Sequence, residues 1–274
     1  MARKSTSTAS KAAKAAKAAR PAKKTAPKVA EQVAPAPTVA PPELDLEPVP
    51  PKKNEIVKVS KASAGPANYT LHLDDLPAGL EFGPVVAVDT ETMGLNPHRD
   101  RLCLVQLSSG DGHAHLVQLR PKNLGGRGYD CPNLRRLMAD HSVTKLMHFA
   151  RFDVGVLQHR LNCNVQPVKC TKIAAKLVRT FTERHGLRDL CRELLGVEIS
   201  KVQQTSDWGA AELTHEQLAY AASDVLYLHA LWDKLEALLQ REGRLDLANA
   251  CFRFLPARTK LDMLGYEEPD IFHH

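Results

Sequence analysis

The sequence predicts an α/β domain built on one mixed sheet, and two features of the chain lead to this prediction. Three apolar runs come first, at 85–91, 102–110 and 113–119, and a GDG signal between the last two indicates a hairpin. Apolar runs then alternate with segments of helical spacing, which is typical of parallel strands joined by helices. Antiparallel strands followed by this alternation predict a mixed sheet of five strands with helices on its faces.

The later elements follow from period and composition. In chain order they are a helix at 131–140, a strand at 144–149, a helix at 150–161, a strand at 165–170, and helices at 171–180, 186–196 and 215–240. Asn133 stands where it would cap the first of these helices. The long final segment is expected to complete the helical cover and the C-terminal end of the domain.

Composition divides the chain into a tail and a domain. Residues 1–65 are rich in Ala, Lys and Pro and hold almost no large apolar clusters, so they are expected to be disordered. They carry 13 basic and five acidic residues, whereas the rest of the chain is nearly neutral. We therefore predict one globular domain at 66–274. Because its net charge is close to zero, any positively charged surface on it should be confined to local grooves.

The lysine-rich tail suits a polyanion, most simply nucleic acid, to which it would act as a tether. Two other interpretations stay open, namely a solubilising spacer and an organelle-targeting segment. No apolar run is long enough for a membrane span or a secretory signal, and the six cysteines show no CxxC spacing. We expect a cytoplasmic protein with reduced cysteines and no membrane partner; the sequence does not specify its oligomeric state.

Two carboxylates in the first strand, Asp89 and Glu91, lie two positions apart. Alternation along a strand places both on the same face. Like charges this close repel one another, and a divalent cation would remove the repulsion. The alternative is a strand end with two solvated acids.

Two further acids complete the pattern. Asp153 begins a helix directly after a strand, where an acid can also serve simply as a partner of the helix dipole. Asp224 lies within an apolar helical run, with Tyr220 one turn earlier on the same face. Four acids and a hydroxyl suit phosphodiester hydrolysis, in which two hard cations clamp the attacking and leaving oxygens.

These residues occur in three motifs: DTET at 89–92, HFARFD at 148–153 and YAASD at 220–224. Together and in this order they resemble the DEDD exonucleases, and the Tyr-x-x-x-Asp form resembles the DEDDy branch with ribonuclease D, to which the stretch from Gln203 to Leu228 is most similar. The sister branch has a histidine where this chain has Ala219. The similarity covers about residues 68–245.

The resemblance implies a ribonuclease H-like fold and a metal-dependent 3′–5′ exonuclease that releases nucleoside 5′-monophosphates from single-stranded RNA 3′ ends. It implies two Mg²⁺ or Mn²⁺ ions, bridged by Asp89. Glu91 and Asp224 would complete the first metal site, Asp153 would act on the second through water, and Tyr220 would orient the attacking water.

Four further residues are candidates for contacting the substrate. Met93 and Leu95 follow the first motif, where relatives wedge a residue against the terminal base, although ordinary packing would also explain them. His148 can contact the terminal nucleotide or end its strand, and Gln204 can meet phosphate. Trp208 is expected to pack rather than to stack on a base.

Ribonuclease D carries additional helical modules after its catalytic domain, and we expect this protein to differ from it in lacking such a module. Two other functions stay open. A DNA exonuclease of the Werner type would use the same acids, and a non-catalytic nucleic-acid-binding protein would use the tail and an inactive domain. The complete set of four acids and the tyrosine favours an enzyme.

Overall fold

The computed structural model describes residues 62–63, 68–200 and 202–273. The predicted tail at 1–65 lies outside this range, apart from residues 62 and 63. In chain order the strands are β1 (Ala62–Ser63), β2 (Tyr69–Leu73), β3 (Val85–Thr92), β4 (Leu102–Ser108), β5 (Ala114–Gln118), β6 (Thr144–Met147), β7 (Val168–Cys170) and β8 (Val197–Glu198). The helices are α1 (Pro132–Ala139), α2 (Ala150–Leu161), α3 (Thr171–Val178), α4 (Leu187–Leu190), α5 (His215–Leu226), α6 (Leu228–Arg241) and α7 (Leu245–Met263).

The main sheet is mixed, as predicted, with strand order β2-β5-β4-β3-β6-β7. Strands β3, β4 and β5 are antiparallel neighbours, which confirms the hairpin, whereas β6 and β7 continue parallel to β3. A second, two-stranded sheet pairs β1 with β8 in parallel.

The main sheet has one strand more than the five predicted. The additional strand, β2, pairs with β5 in parallel at the edge of the sheet. Its leucines, Leu71 and Leu73, are exposed, so the strand lacks the buried apolar face that marked the other five. Backbone pairing with β5 rather than side-chain burial forms it.

The core lies between this sheet and its helices. Every residue of β4 is buried, which requires cover on both faces of the sheet. Helix α5 packs on β3, β4 and β5, and α2 contacts β4, β7 and α7. Among the described residues, no helix has the length and apolar character needed to cross a membrane.

Two details of the helices differ from expectation. Asn133 does not cap α1; instead the Asp75 carboxylate accepts hydrogen bonds from the backbone N–H groups of Asn133 and Leu134 at 3.1 and 2.9 Å. A distant acid thus satisfies the free amides of the helix start, and no local sequence signal reveals it. The helical run at 215–240 is interrupted at Tyr227 and forms two helices, α5 and α6.

Candidate active site

Strand β3 presents the first two acids. Asp89 and Glu91 lie on one face near the end of the strand, as alternation requires. The pairing of β3 with β4 shifts register between Glu91 and Thr92, where the partner changes from Leu104 to Leu102. Bulges of this kind bend a strand end and re-aim its side chains.

Helix α5 adds the third acid. Thr214 and Gln217 form a reciprocal capping box that fixes where α5 begins. Asp224 then faces β3, and one carboxylate oxygen from each of Asp89, Glu91 and Asp224 lies within 4.8 Å of the others. All three are half-buried. Hard oxygen donors this close can hold a divalent metal ion.

The electrostatics of this group fit a cation. Burial, followed by repulsion from the neighbouring acids, raises the pKa of Asp89 well above its usual range. Burial and Asp224 raise the pKa of Glu91 to about 9, and burial raises the pKa of Asp224 to about 7. Without a cation the group therefore retains protons near neutral pH, and a bound divalent ion would replace them.

Asp153 lies beside this group rather than within it. The carboxyl is 4% exposed and accepts a 2.6 Å hydrogen bond from the Thr90 hydroxyl. Burial raises the pKa of Asp153 to about 7, and the hydrogen bond from Thr90 opposes that rise. Repulsion from Asp153 contributes to the raised pKa of Asp89, so the fourth acid is electrically coupled to the other three.

Tyr220 lies one turn before Asp224 and its hydroxyl interacts with that carboxylate. Burial, followed by the negative charges of Asp224 and Glu91, raises the pKa of Tyr220, so the phenol stays protonated at neutral pH. The Trp208 ring is 2% exposed and lies 6.1 Å from the Tyr220 ring. It therefore packs behind the site, as expected.

Two polar residues of the site, Thr90 and Gln106, were not predicted from the sequence. Thr90 lies between the two acids of the first motif, and its hydroxyl donates a hydrogen bond to Asp153. Gln106 pairs directly with Asp89 across β3 and β4, is fully buried, and its amide has no partner within the part of the chain described. A glutamine inside the otherwise apolar LCLVQL run was the available signal.

Met93 and Leu95 lie on the loop after β3 and are 59% and 84% exposed. The Asp100 carboxylate holds this loop by accepting from the Asn96 backbone N–H at 2.9 Å. Arg160 on α2 donates to the Asp100 backbone carbonyl at 2.8 Å. The two apolar side chains are thus presented to solvent on a braced loop.

The other two predicted substrate residues have different surroundings. His148 Nδ1 lies 2.9 Å from the Thr171 hydroxyl, and burial with the charge of Lys172 lowers the pKa of His148 to about 3. Its imidazole is therefore neutral. Gln204 is exposed in the loop before α5, and no hydrogen bond of its side chain is present among the described residues.

A family model described as 3′–5′ exonuclease matches residues 61–240, which include β3, α2 and α5 with all four acids. The chain belongs to this 3′–5′ exonuclease family. Membership confirms the resemblance found in the three motifs and the hydrolase class that they predicted.

Relatives of this exonuclease are of two kinds. Ribonuclease D of Acidiphilium cryptum is 36% identical over 163 residues, and the match covers 60% of this chain and 40% of that protein. The chain thus spans about two fifths of the length of the curated ribonuclease D relatives it matches. DNA polymerase I of Aquifex aeolicus is 34% identical over 160 residues, or 25% of its length.

Solved structures show a more complete match. NrnC of Brucella melitensis, in a structure with bound Mg²⁺, is 52% identical, with a TM-score of 0.70 and coverage of 76% of this chain and 99% of that one. Another structure of the same protein is bound to pGG, at 53% identity. Escherichia coli RNase D is 29% identical, with a TM-score of 0.56 and coverage of 65% and 45%.

Proposed function

We propose that this protein is a 3′–5′ exoribonuclease that removes nucleoside 5′-monophosphates from single-stranded RNA with the help of two divalent cations, Mg²⁺ or Mn²⁺. The observation that carries the proposal is the convergence of Asp89, Glu91 and Asp224 within 4.8 Å, with Asp153 coupled to them. Ribonuclease D relatives and the NrnC structures with Mg²⁺ and with pGG support the metal and the RNA.

Each residue has a defined task in this proposal. Asp89 would bridge two cations, Glu91 and Asp224 would complete one site, and Asp153 would serve the other through water. Cations bound there stabilise the negative charge on the attacking and leaving oxygens. The reaction adds water to the terminal phosphate and breaks its bond to the 3′ oxygen of the preceding nucleotide, which leaves with a proton.

Tyr220 would orient the attacking water. Because its pKa is raised, the phenol carries its proton at neutral pH and can both donate and accept a hydrogen bond. Its contact with Asp224 and the Trp208 ring behind it fix the ring near the acids. An oriented water near the phosphate lowers the entropic part of the barrier.

DNA is the second candidate substrate, because DNA polymerase I of Aquifex aeolicus is among the relatives. The deciding experiment is a time course with 5′-labelled RNA and the matching DNA, each with Mg²⁺, Mn²⁺ or EDTA. We expect a metal-dependent ladder that shortens from the 3′ end, faster for RNA. Intact strands in every lane would refute the proposed nuclease activity. Faster loss of DNA than of RNA would refute RNA as the preferred substrate.

Asp89→Asn provides the matched control for this experiment. The variant keeps the size of the side chain but removes one carboxylate of the proposed metal site. It should bind the strand and leave it intact, which separates cleavage by this site from a contaminating nuclease.

A further inference from the structure

Phe149 has an unfavourable backbone conformation that packing does not explain. The residue directly precedes α2 with φ 60° and ψ 38°, in the left-handed region. Bulky side chains rarely adopt this region, whereas Asn and Gly do so readily. The Phe149 ring is 49% exposed, so it gains only part of the apolar burial that would offset the strain. Strain of this kind at a half-exposed residue indicates a role outside the core.

A cation stacks on the same ring. Lys172, in the first turn of α3, places Nζ 4.0 Å from the centre of the Phe149 ring. Among the described residues, no carboxylate lies within ion-pair distance of Lys172, and Lys176 follows it one turn later. The ring therefore lies beside positive charge that the protein itself leaves unneutralised.

The ring also lines an open cavity of about 590 Å³. Leu95, which follows Glu91 by four residues, forms part of the cavity wall, and Phe152, next to Asp153, forms another part. The volume lies within the usual range for small-molecule sites. Arg151 in the same wall is already paired with Asp262 at 2.7 Å. Lys172 lies over the ring and has no ion-pair partner among the described residues.

A flat apolar ring beside a lysine ammonium group suits the two parts of a nucleotide, its base and its phosphate. Nucleobases stack on aromatic rings with little regard to sequence, and an ammonium group meets the adjacent phosphate. We propose that Phe149 and Lys172 form a stacking platform for a nucleobase of the bound RNA strand, with Lys172 contacting the phosphate beside it. The inference rests on the proposed function, because it places the strand next to the four acids.

A role of Phe149 in RNA binding and a purely structural role predict different effects of substituting this residue. Phe149→Asn suits the left-handed conformation and removes only a half-exposed ring. We expect unchanged or higher thermal stability together with RNA binding weakened about 5- to 150-fold, the range for loss of one base stack. Phe149→Tyr keeps the ring and should bind as the parent does.

The test is a double-mutant cycle between protein and RNA. Binding of a short fluorescein-labelled RNA to the full-length Asp89→Asn protein is measured by anisotropy, so that no cleavage occurs. The RNAs are an intact strand and a set in which one base at a time is removed near the 3′ end. Each is bound by the parent, by Phe149→Asn, and by the control Phe254→Ala, which removes an exposed ring outside the cavity.

One of the abasic RNAs should bind more weakly than the intact strand to the parent and to Phe254→Ala, but equally well to Phe149→Asn. Lys172→Ala should also weaken binding and reduce its salt dependence, whereas Lys172→Arg should not. If every abasic RNA loses the same affinity in the parent and in Phe149→Asn, the platform is refuted. Shortening of RNA by the wild-type protein would still establish the proposed function in that case.

Discussion

The Thr90 hydroxyl donates a 2.6 Å hydrogen bond to the Asp153 carboxylate and so links the first exonuclease motif to the second. Thr90 is 7% exposed and Asp153 is 4% exposed, so water does not compete for this bond. Hydrogen bonds to charged groups are stronger than neutral ones, and a buried carboxylate that loses its donor is destabilised. Thr90 therefore holds Asp153 in the orientation that the site requires.

Thr90→Val tests this relationship, because valine has nearly the same shape and no hydroxyl. We expect kcat to fall about 10- to 100-fold, as for residues that orient metal ligands, and the free energy of unfolding to fall by about 1.5–3 kcal/mol. Steady-state cleavage and urea unfolding would measure the two effects. Thr90→Ser keeps the donor and should retain most of the rate; an equally slow serine variant would contradict the role of the hydroxyl.

Removing an acid should make the metal-free protein more stable while it abolishes hydrolysis. Asp89→Asn and Asp224→Asn each replace an acid whose pKa is raised by burial and by repulsion from neighbouring acids, and whose ionised form therefore destabilises the folded protein. We expect a melting temperature in EDTA that is higher than in the wild type by roughly 2–4 °C per kcal/mol of relieved repulsion. A lower melting temperature in both variants would show that the acids are not strained without metal.

The contribution of these acids to the stability of the metal-free protein should fall as pH rises. Glu91 has a folded-state pKa of about 9 and Asp224 of about 7, whereas unfolded carboxyls titrate near about 4. Between these values the two acids bind more protons in the folded state than in the unfolded state, so their contribution to stability is lost from about pH 4 upward to about pH 9. Melting curves in EDTA from pH 5 to pH 8.5 would measure the decline.

Magnesium should reverse this trend, because it binds the ionised carboxylates. We expect Mg²⁺ to raise the melting temperature at pH 8 much more than at pH 5. Asp89→Asn is the control, and its response to Mg²⁺ should be smaller at both pH values. An equal rise at pH 5 and pH 8 would mean that the ion binds outside the acid group.

Tyr220→Phe should slow cleavage about 100-fold with little change in stability or in RNA affinity. The ring keeps its packing against Trp208, and only the hydroxyl near Asp224 is lost. Single-turnover cleavage separates the chemical step from binding. A single-turnover rate equal to that of the wild type would remove the proposed role in orienting water.

The basic tail should act as an electrostatic tether. Deletion of residues 1–60 removes 12 of the 37 basic residues, and we expect RNA binding to weaken at low salt and to match the full-length protein at high salt. Anisotropy titrations over a range of salt concentrations would give the salt dependence of RNA affinity for the full-length protein and for the deletion. A full-length variant with the tail lysines changed to glutamine should behave like the deletion if charge rather than chain length is responsible.

The sequence by itself determined the class of the sheet, the hairpin and the identity of the acids. Alternation along β3 places Asp89 and Glu91 together, and helical period places Tyr220 beside Asp224; both are local geometric rules. The order of the three motifs then predicted the exonuclease family.

The tertiary structure decided which groups meet across the chain. Strand β2 forms through backbone pairing with β5 although its leucines are exposed, and Asp75 caps α1 from 58 residues away. The bond from Thr90 to Asp153 joins residues 63 apart, and the stack of Lys172 on Phe149 joins two helix starts. Local patterns fix only the direction of each side chain along its own element, because the partner it meets depends on how the elements pack.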